Sequence, residues 1–215
     1  MDMKLVSLNI SMPVTVDYQG KPVQTGIFKN PVDQELLLST TQLEGDGQAD
    51  LVNHGGADKA VCVYCAEHYI YWQEKLQRKL PYGAFGENFT IEGLLESDIH
   101  IGDTYEIGTA VVQLSQPRQP CFKLAVKHGI KDLPVQVQET GYTGYYFRVL
   151  QEGRVSAGQT FRLVERQPLA ITVTTANRLK YVDKSDTTAI RQLLSVGALS
   201  DSWRASFEKR LENPE

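Results

Sequence analysis

Residues 104–121 read TYEIGTAVVQLSQPRQPC, and this stretch shows how the chain is built. It holds two short segments, residues 104–107 and 110–113, that are rich in β-branched and aromatic residues and are bounded by turn formers. The same pattern recurs elsewhere, for example over residues 4–10 and 145–150. Short strands of this kind leave exposed edges unless the sheet closes on itself. The sequence therefore predicts a mainly β domain, a closed or nearly closed β-barrel.

The distribution of turn-forming residues divides the chain near residue 168. Of its 17 glycines and 9 prolines, 16 and 8 respectively lie in residues 1–168, so the tail can hold helices. Helical spacing of apolar residues predicts two insertions in the first domain and three tail helices, over residues 66–80, 123–128, 175–182, 187–195 and 200–211. We expect an α+β protein: a β-barrel with helical insertions over residues 1–166 and a small C-terminal three-helix domain over residues 167–215.

Charge and hydropathy exclude several classes of function. With 22 basic and 26 acidic residues, the formal net charge is −4, so the sequence-independent attraction to phosphates that nucleic-acid binding uses is missing. Apolar runs are far shorter than the roughly 20 residues that cross a bilayer, and the N-terminus lacks a basic segment leading into an apolar run. Three cysteines are too few for a disulfide framework. We expect a cytoplasmic protein with no nucleic-acid or membrane partner.

Two of the cysteines, Cys62 and Cys65, form a C-x-x-C motif. Such a motif can be a redox dithiol or, with a histidine such as His54 or His68, part of a zinc site. Here the two cysteines alternate with apolar residues in a predicted strand, and no second C-x-x-C completes four ligands. Because free cysteine is common in protein cores, the pattern favours two core residues over a redox or zinc site.

Two glycine-rich loops carry polar residues that suit ligand binding. The first contains His54, Asp58 and Lys59 just before a predicted strand, and its four glycines allow the backbone to approach a ligand closely. The alternative for this loop is a solvated connector. The second loop places Glu87 and Asn88 at a glycine-flanked corner. There they can hold a polar ligand, although capping the turn locally explains them equally well.

The third cysteine lies in a loop stiffened by two prolines. Cys121 follows Pro120 where a helix is predicted to begin, and Arg118 and Lys123 are close in sequence. A helix N-terminus and neighbouring cations both lower the pKa of a thiol, which favours the thiolate that binds soft metals or attacks electrophiles. Cys121 is the best single candidate for a functional residue. A metal-free Cys–His hydrolase is one alternative, and its base would be His54, His100 or His128.

Taken in order, these loops resemble the motifs of the MOSC domain, the C-terminal domain of molybdenum cofactor sulfurases. The resemblance spans most of residues 1–165. Its motifs are VNHGGADKAV at 52–61, FGENFT at 85–90, IGD at 101–103, QPRQPC at 116–121, and GYTGYYFRVL at 141–150 followed by EGRVSAG at 152–158. The tail is similar to the small three-helix domain that follows the MOSC domain in the stand-alone bacterial subgroup typified by YiiM.

The resemblance implies a MOSC-type β-barrel that binds the molybdenum cofactor (molybdopterin) and reduces N-hydroxylated compounds, for example in detoxification of 6-N-hydroxylaminopurine. Cys121 is then the protein ligand of molybdenum, because soft sulfur suits this metal, and Arg118 holds Cys121 as a thiolate. Matching motifs suggest the remaining roles: Lys59 and Arg148 for the cofactor phosphate, Asn88 and His54 for the pterin or substrate, and Glu87 or Asp58 for proton relay.

The same interpretation implies an external source of electrons. Three cysteines are too few for a [2Fe–2S] cluster, and no flavin or nicotinamide fingerprint is present, so it predicts a separate flavin or iron–sulfur reductase as partner. The alternative function is a MOSC-fold carrier that binds cofactor or sulfur through Cys121 and hands it on without turnover. The apolar stripe of Trp203, Phe207 and Leu211 indicates either docking on the barrel or a homodimer.

Overall fold

A mixed eight-stranded sheet, curled into a half-barrel, forms the body of the protein. The computed structural model describes residues 3–50 and 55–212. The strands are β1 (Lys4–Ile10), β2 (Val14–Tyr18), β3 (Lys21–Thr25), β4 (Asn30–Val32), β5 (Leu36–Leu38), β6 (Val61–Cys65), β7 (Phe89–Glu92), β8 (Thr104–Ile107), β9 (Ala110–Pro117), β10 (Tyr145–Gln151), β11 (Gly153–Val155) and β12 (Arg162–Glu165). The helices are α1 (His68–Leu76), α2 (Lys123–His128), α3 (Leu133–Thr140), α4 (Val173–Tyr181), α5 (Thr187–Leu194) and α6 (Asp201–Glu212).

The sheet has the strand order β12-β8-β9-β10-β6-β7-β1-β4. Its neighbours are antiparallel except β6 and β7, which run parallel because α1 lies in the crossover between them. Near the two ends of the sheet, β1 approaches the segment that precedes β12. There the Leu5 N–H donates to the Gln159 carbonyl at 2.9 Å, and the Gly158 N–H donates to the Leu5 carbonyl at 2.7 Å. These bonds join β1 to the chain that leads into β12.

The three C-terminal helices pack against the half-barrel and share its core. Trp203 and Phe207 of α6 are fully buried in the same cluster as Leu114 of β9. The apolar stripe predicted on this helix is therefore used for packing within the chain. Thr172 and Asp186 cap α4 and α5 by accepting main-chain N–H bonds from three residues further on. The predicted fold class, α+β with a three-helix tail, is confirmed.

Strand β6 separates two environments. Because side chains alternate along a strand, Val63 and Cys65 join the half-barrel core, whereas Tyr64 joins a second apolar cluster with residues of α1, α2 and α3. Cys62 lies on the Tyr64 side, where a pocket opens. The two cysteines of the C-x-x-C motif thus face opposite sides of the sheet and do not form a dithiol pair. No helix in the described parts of the chain is long and apolar enough to be a membrane span.

Candidate functional site

The pocket lies where four segments converge: the connection between β3 and β4, the loop before β6, the loop before β7 and the loop after β9. Eight of its lining residues carry functional side chains: Lys29, Lys59, Cys62, Asn88, Arg118, Cys121, Lys123 and Tyr146. Four of these are cations, and the described residues that line the pocket include no carboxylate. A cleft lined by one sign of charge attracts ligands of the opposite sign. The pocket therefore suits an anionic ligand.

Arg118 is the most informative of these cations. Its side chain is buried, and Nη2 donates to the Phe85 carbonyl at 2.6 Å, while Nη1 has no hydrogen-bond partner among the described residues. Burial acts to lower the pKa of Arg118, but neighbouring Cys62, Tyr146 and Cys121 raise it above its ordinary value. The guanidinium is therefore charged. A buried charged donor without a partner is costly, and a bound anion would satisfy it.

Two thiols face the pocket. Cys121 is half-buried in the turn before α2, whereas Cys62 is buried in β6. Burial raises the pKa of Cys62, although the nearby Arg118 and the Tyr146 hydroxyl oppose this effect. The sequence predicted Cys62 as a core residue, gave no role to Tyr146 or Lys29, and gave Lys123 only the role of a cation near Cys121. Of these, Tyr146 lies inside the GYTGYY motif and Lys123 lies two residues after Cys121, so both were within reach of a motif-based search.

Asn88 builds one wall of the pocket. Its Oδ1 accepts from the Cys62 N–H at 3.1 Å, and its Nδ2 donates to Asp46 Oδ2 at 2.8 Å. Asp46 in turn forms a buried ion pair with Lys29. The amide of Asn88 is thus engaged by the protein and fixes the shape of the wall. Lys59 also lines the pocket, and burial lowers its pKa against the opposing charge of Asp58.

Asp58 and Arg148, both predicted from the family resemblance as site residues, bind each other outside the pocket lining. Arg148 Nε and Nη2 donate to Asp58 Oδ1 at 3.0 and 2.6 Å, and Nη1 donates to Gln113 Oε1 at 3.0 Å. Asp58 Oδ2 accepts from the Asp201 N–H at 3.1 Å, at the start of α6. This pair therefore links the half-barrel to the helical tail. The predicted ligand residue His54 lies outside the described residues.

Glu87 lies behind the pocket wall, fully buried in the corner that precedes β7. Its Oε1 accepts from the Gly83 N–H and from Thr90 Oγ1, both at 2.8 Å, and also from the Tyr69 hydroxyl. Its Oε2 accepts from the Phe85 N–H at 3.0 Å. With four donors the carboxylate is a hub that holds the glycine-rich corner in place, and it does not line the pocket.

Replacing Glu87 by glutamine is expected to lower the free energy of unfolding by about 2 kcal/mol, because an amide NH₂ would face a buried N–H donor. Urea denaturation measures this effect. The matched control is Glu92→Gln at the exposed end of β7, for which a change of at most about 0.5 kcal/mol is expected. If Glu87→Gln lost turnover while keeping wild-type stability, a proton-relay role would explain it better than the hub.

The described histidines, His68, His100 and His128, all lie outside the pocket lining. His128 donates through Nε2 to the Ala84 carbonyl at 2.8 Å, and burial lowers its pKa to about 4. His100 hydrogen-bonds to Asp103 at 3.1 Å. None of these three is placed as a general base for Cys121. The Cys–His hydrolase alternative therefore receives no support from the described part of the chain.

Comparison with known proteins gives the family of this fold and pocket. The profile of the MOSC domain matches residues 50–162, more than half of the chain. The chain belongs to the MOSC family. A second profile, described as "YiiM-like, 3-alpha helix domain", matches residues 171–213, which contain the three helices of the tail. The resemblance inferred from the motifs is thus confirmed for both parts of this MOSC protein.

Individual relatives agree with this assignment. "Uncharacterized protein YflK" of Bacillus subtilis (strain 168) is 55% identical over 206 residues, covering 96% of this MOSC protein and 93% of YflK. The crystal structure of YiiM from Geobacillus stearothermophilus superposes with a TM-score of 0.84 at 43% identity, covering 97% of this chain and 99% of that one. A protein of Gibberella moniliformis (strain M3125 / FGSC 7600) named "Reductase" is 32% identical over 151 residues, covering 68% of this chain and 27% of that protein.

Proposed function

We propose that this MOSC protein binds the molybdenum cofactor in the pocket around Arg118 and Cys121 and reduces N-hydroxylated compounds such as 6-N-hydroxylaminopurine. The observation that carries the proposal is the buried, charged Arg118 whose Nη1 has no partner among the described residues, next to two thiols. Membership of the MOSC family and the fungal relative named a reductase support it. The residues present fit the cofactor, because its anionic groups and soft metal match the cations and thiols of the pocket.

Each pocket residue has a distinct task in this proposal. Cys121 would supply the protein ligand to molybdenum through Sγ, and Arg118 lines the same pocket beside it. Lys59 and Lys123 neutralise the anionic parts of the cofactor. When bound, the cofactor supplies the two-electron chemistry that cleaves the N–O bond.

The reaction also consumes protons, because an N-hydroxylated substrate plus two electrons and two protons gives an amine and water. The Tyr146 hydroxyl lines the pocket, and burial raises its pKa, so it is a protonated donor at neutral pH. In this proposal it donates a hydrogen bond to the substrate oxygen as that oxygen departs, while the protons themselves come from solvent, because a phenol with a raised pKa is a weak acid. Tyr146 thus replaces Glu87 and Asp58 as the residue proposed to assist departure of that oxygen, because neither carboxylate lines the pocket.

A separate flavin or iron–sulfur reductase is the proposed electron donor. The chain has three cysteines, and Cys65 lies on the far side of β6 from the other two. They are too few and too dispersed for a [2Fe–2S] cluster. If the purified protein reduced an N-hydroxylated substrate with NADH alone, the prediction of a separate reductase would be wrong.

The test is the cofactor content and turnover of protein expressed in a host that makes the molybdenum cofactor. Near-stoichiometric molybdenum and pterin, with reduction of 6-N-hydroxylaminopurine by chemically reduced viologen, is the expected result. Absence of both metal and pterin from the wild-type protein would overturn the proposal. Bound cofactor without turnover would instead support the carrier function.

A further inference from the structure

A second group of metal-ligating side chains lies on the opposite face of β6 from the pocket. Cys65, His68 and Glu96 are all buried. His68 Nε2 is 2.7 Å from Glu96 Oε2, and Cys65 Sγ is 3.6 Å from the same oxygen. One ligand atom from each residue lies within 4.8 Å of those of the other two. The three donors therefore converge on one small volume.

We propose that Cys65, His68 and Glu96 bind one Zn²⁺ ion. Sulfur, imidazole nitrogen and carboxylate oxygen are the ligands that zinc takes in proteins. On binding, the Cys65 thiol releases its proton to solvent and the sulfur bonds the metal as a thiolate. The thiolate and the Glu96 carboxylate together carry two negative charges and the imidazole is neutral, so the loaded site has no net charge. An electroneutral site is the arrangement that costs least to bury.

Two of the three separations between ligand atoms need only a small adjustment to accept the ion, and the third is within 4.8 Å. Ligand atoms of a tetrahedral zinc site with the usual bond lengths lie roughly 3.4 Å apart. The Cys65–Glu96 separation of 3.6 Å already matches this value, and the His68–Glu96 separation of 2.7 Å has to widen by less than an ångström. The Leu94 carbonyl lies 3.2 Å from Cys65 Sγ and also accepts from the Tyr145 hydroxyl at 2.9 Å, so the fourth position is left to a water molecule.

Outer contacts hold two of the ligands in place. Glu96 Oε1 accepts from the Gly144 N–H at 2.8 Å, which leaves Oε2 directed to the other two donors. Gly144 has a φ of 71°, and a Cβ there would lie 2.1 Å from the Val63 carbonyl, so only glycine fits. The His68 ring stacks on Tyr142 with ring centroids 3.9 Å apart. Such outer contacts orient metal ligands and raise affinity.

The ion would join Glu96 to two ligands that precede it by 31 and 28 residues in the chain. It would connect the end of β6, the first residue of α1 and the segment before β8. The Glu96 carbonyl also accepts from the Thr174 N–H of α4 at 2.9 Å, so the site lies where the half-barrel meets the helical tail. Its role is therefore structural, and it does not depend on the proposed molybdenum chemistry.

The test uses a protein in which Cys65 is the only thiol. The chain has three cysteines, so the double variant Cys62→Ser/Cys121→Ser removes both pocket thiols and leaves the proposed ligand. The metal-free protein is titrated with Co²⁺, which substitutes for zinc and absorbs in the ultraviolet when it binds a thiolate. A thiolate-to-cobalt band that saturates at one equivalent and disappears on addition of Zn²⁺ is expected.

Three further substitutions in this double variant identify the ligands. Glu96→Gln, whose Oε1 can still accept from Gly144, and His68→Gln are each expected to weaken Co²⁺ binding at least tenfold, while His100→Gln leaves it unchanged. Circular dichroism and the melting temperature establish that each protein is folded. Absence of the band in the folded single-thiol protein, or unchanged affinity in folded Glu96→Gln and His68→Gln, would overturn the proposal. Because no pocket thiol is present, a negative result does not bear on the molybdenum site.

Discussion

The molybdenum content of Cys121→Ala protein is expected to be lower than that of the wild type by a factor of about 100 or more. Cys62→Ala protein is expected to keep the wild-type molybdenum content. Both thiols line the same pocket, which makes the second variant a matched control. They differ in access and charge, because Cys121 is half-buried beside the charged Arg118, while Cys62 is buried and its pKa is raised by that burial. A metal ligand must be a thiolate that can reach the metal. Cys121 is the more accessible of the two thiols, so it is the one expected to reach the metal.

Metal analysis and pterin fluorescence of the two variants, expressed side by side in a cofactor-producing host, measure this difference. Turnover with reduced viologen is expected to follow metal content. Equal loss in both variants would mean that either thiol substitution damages the pocket as a whole. If the Cys121→Ala protein retained all of its molybdenum, Cys121 would not be the metal ligand, and the roles assigned to its loop would have no basis.

Arg118→Met is expected to weaken cofactor retention by about 100-fold, equivalent to about 2.7 kcal/mol, because a buried charged donor toward the anion is lost. The matched control is Arg148→Met. The family resemblance assigns Arg148 to the cofactor phosphate, but its guanidinium binds Asp58 and Gln113 outside the pocket. Its replacement is expected to leave cofactor retention within about twofold and to lower the free energy of unfolding by about 1 kcal/mol, as for other partly exposed ion pairs.

Dilution-induced loss of cofactor, followed by pterin fluorescence, measures retention for both arginine variants, and urea denaturation measures their stability. Arg118→Lys keeps the charge but lacks the planar fork that serves the Phe85 carbonyl and a ligand together. An intermediate loss is therefore expected for it. If Arg148→Met released the cofactor as readily as Arg118→Met, the assignment of the pocket would be wrong.

The spacing of apolar residues along the sequence correctly predicted several strands and helices. The alternation over residues 4–10 and the amphipathic tail helices appear in the structure as β1, α4, α5 and α6. The hairpin of β2 and β3 was missed, because its turn residues Gln19 and Gly20, with φ values of 55° and 76°, lack the Asn-Gly or Asp-Gly signature of such turns. The parallel pairing of β6 with β7 has no local signature, since it depends on where α1 packs.

The sequence predicted those site residues that lie close together in one loop. Cys121 and Arg118 lie together in one stiff loop, and both line the pocket. Arg148 and Asp58 are 90 residues apart, and nothing in the sequence around either residue indicates that they neutralise each other. Glu87 carries a carboxyl group that could act as a catalytic acid, but in the structure this group accepts hydrogen bonds from the surrounding main chain. Residue type is the same for a ligand contact and an internal ion pair, so only the fold separates them.

The alternation of side chains in β6 constrains how this protein can change in length. Inserting or deleting one residue between Cys62 and Cys65 would turn one of the two thiols to the other side of the sheet. Connections between helices, such as the one between α4 and α5, have no such parity and accept short insertions. Relatives and engineered variants should therefore differ in loop length while keeping the two-residue spacer in β6, and a tag or graft placed in this strand would disturb both faces at once.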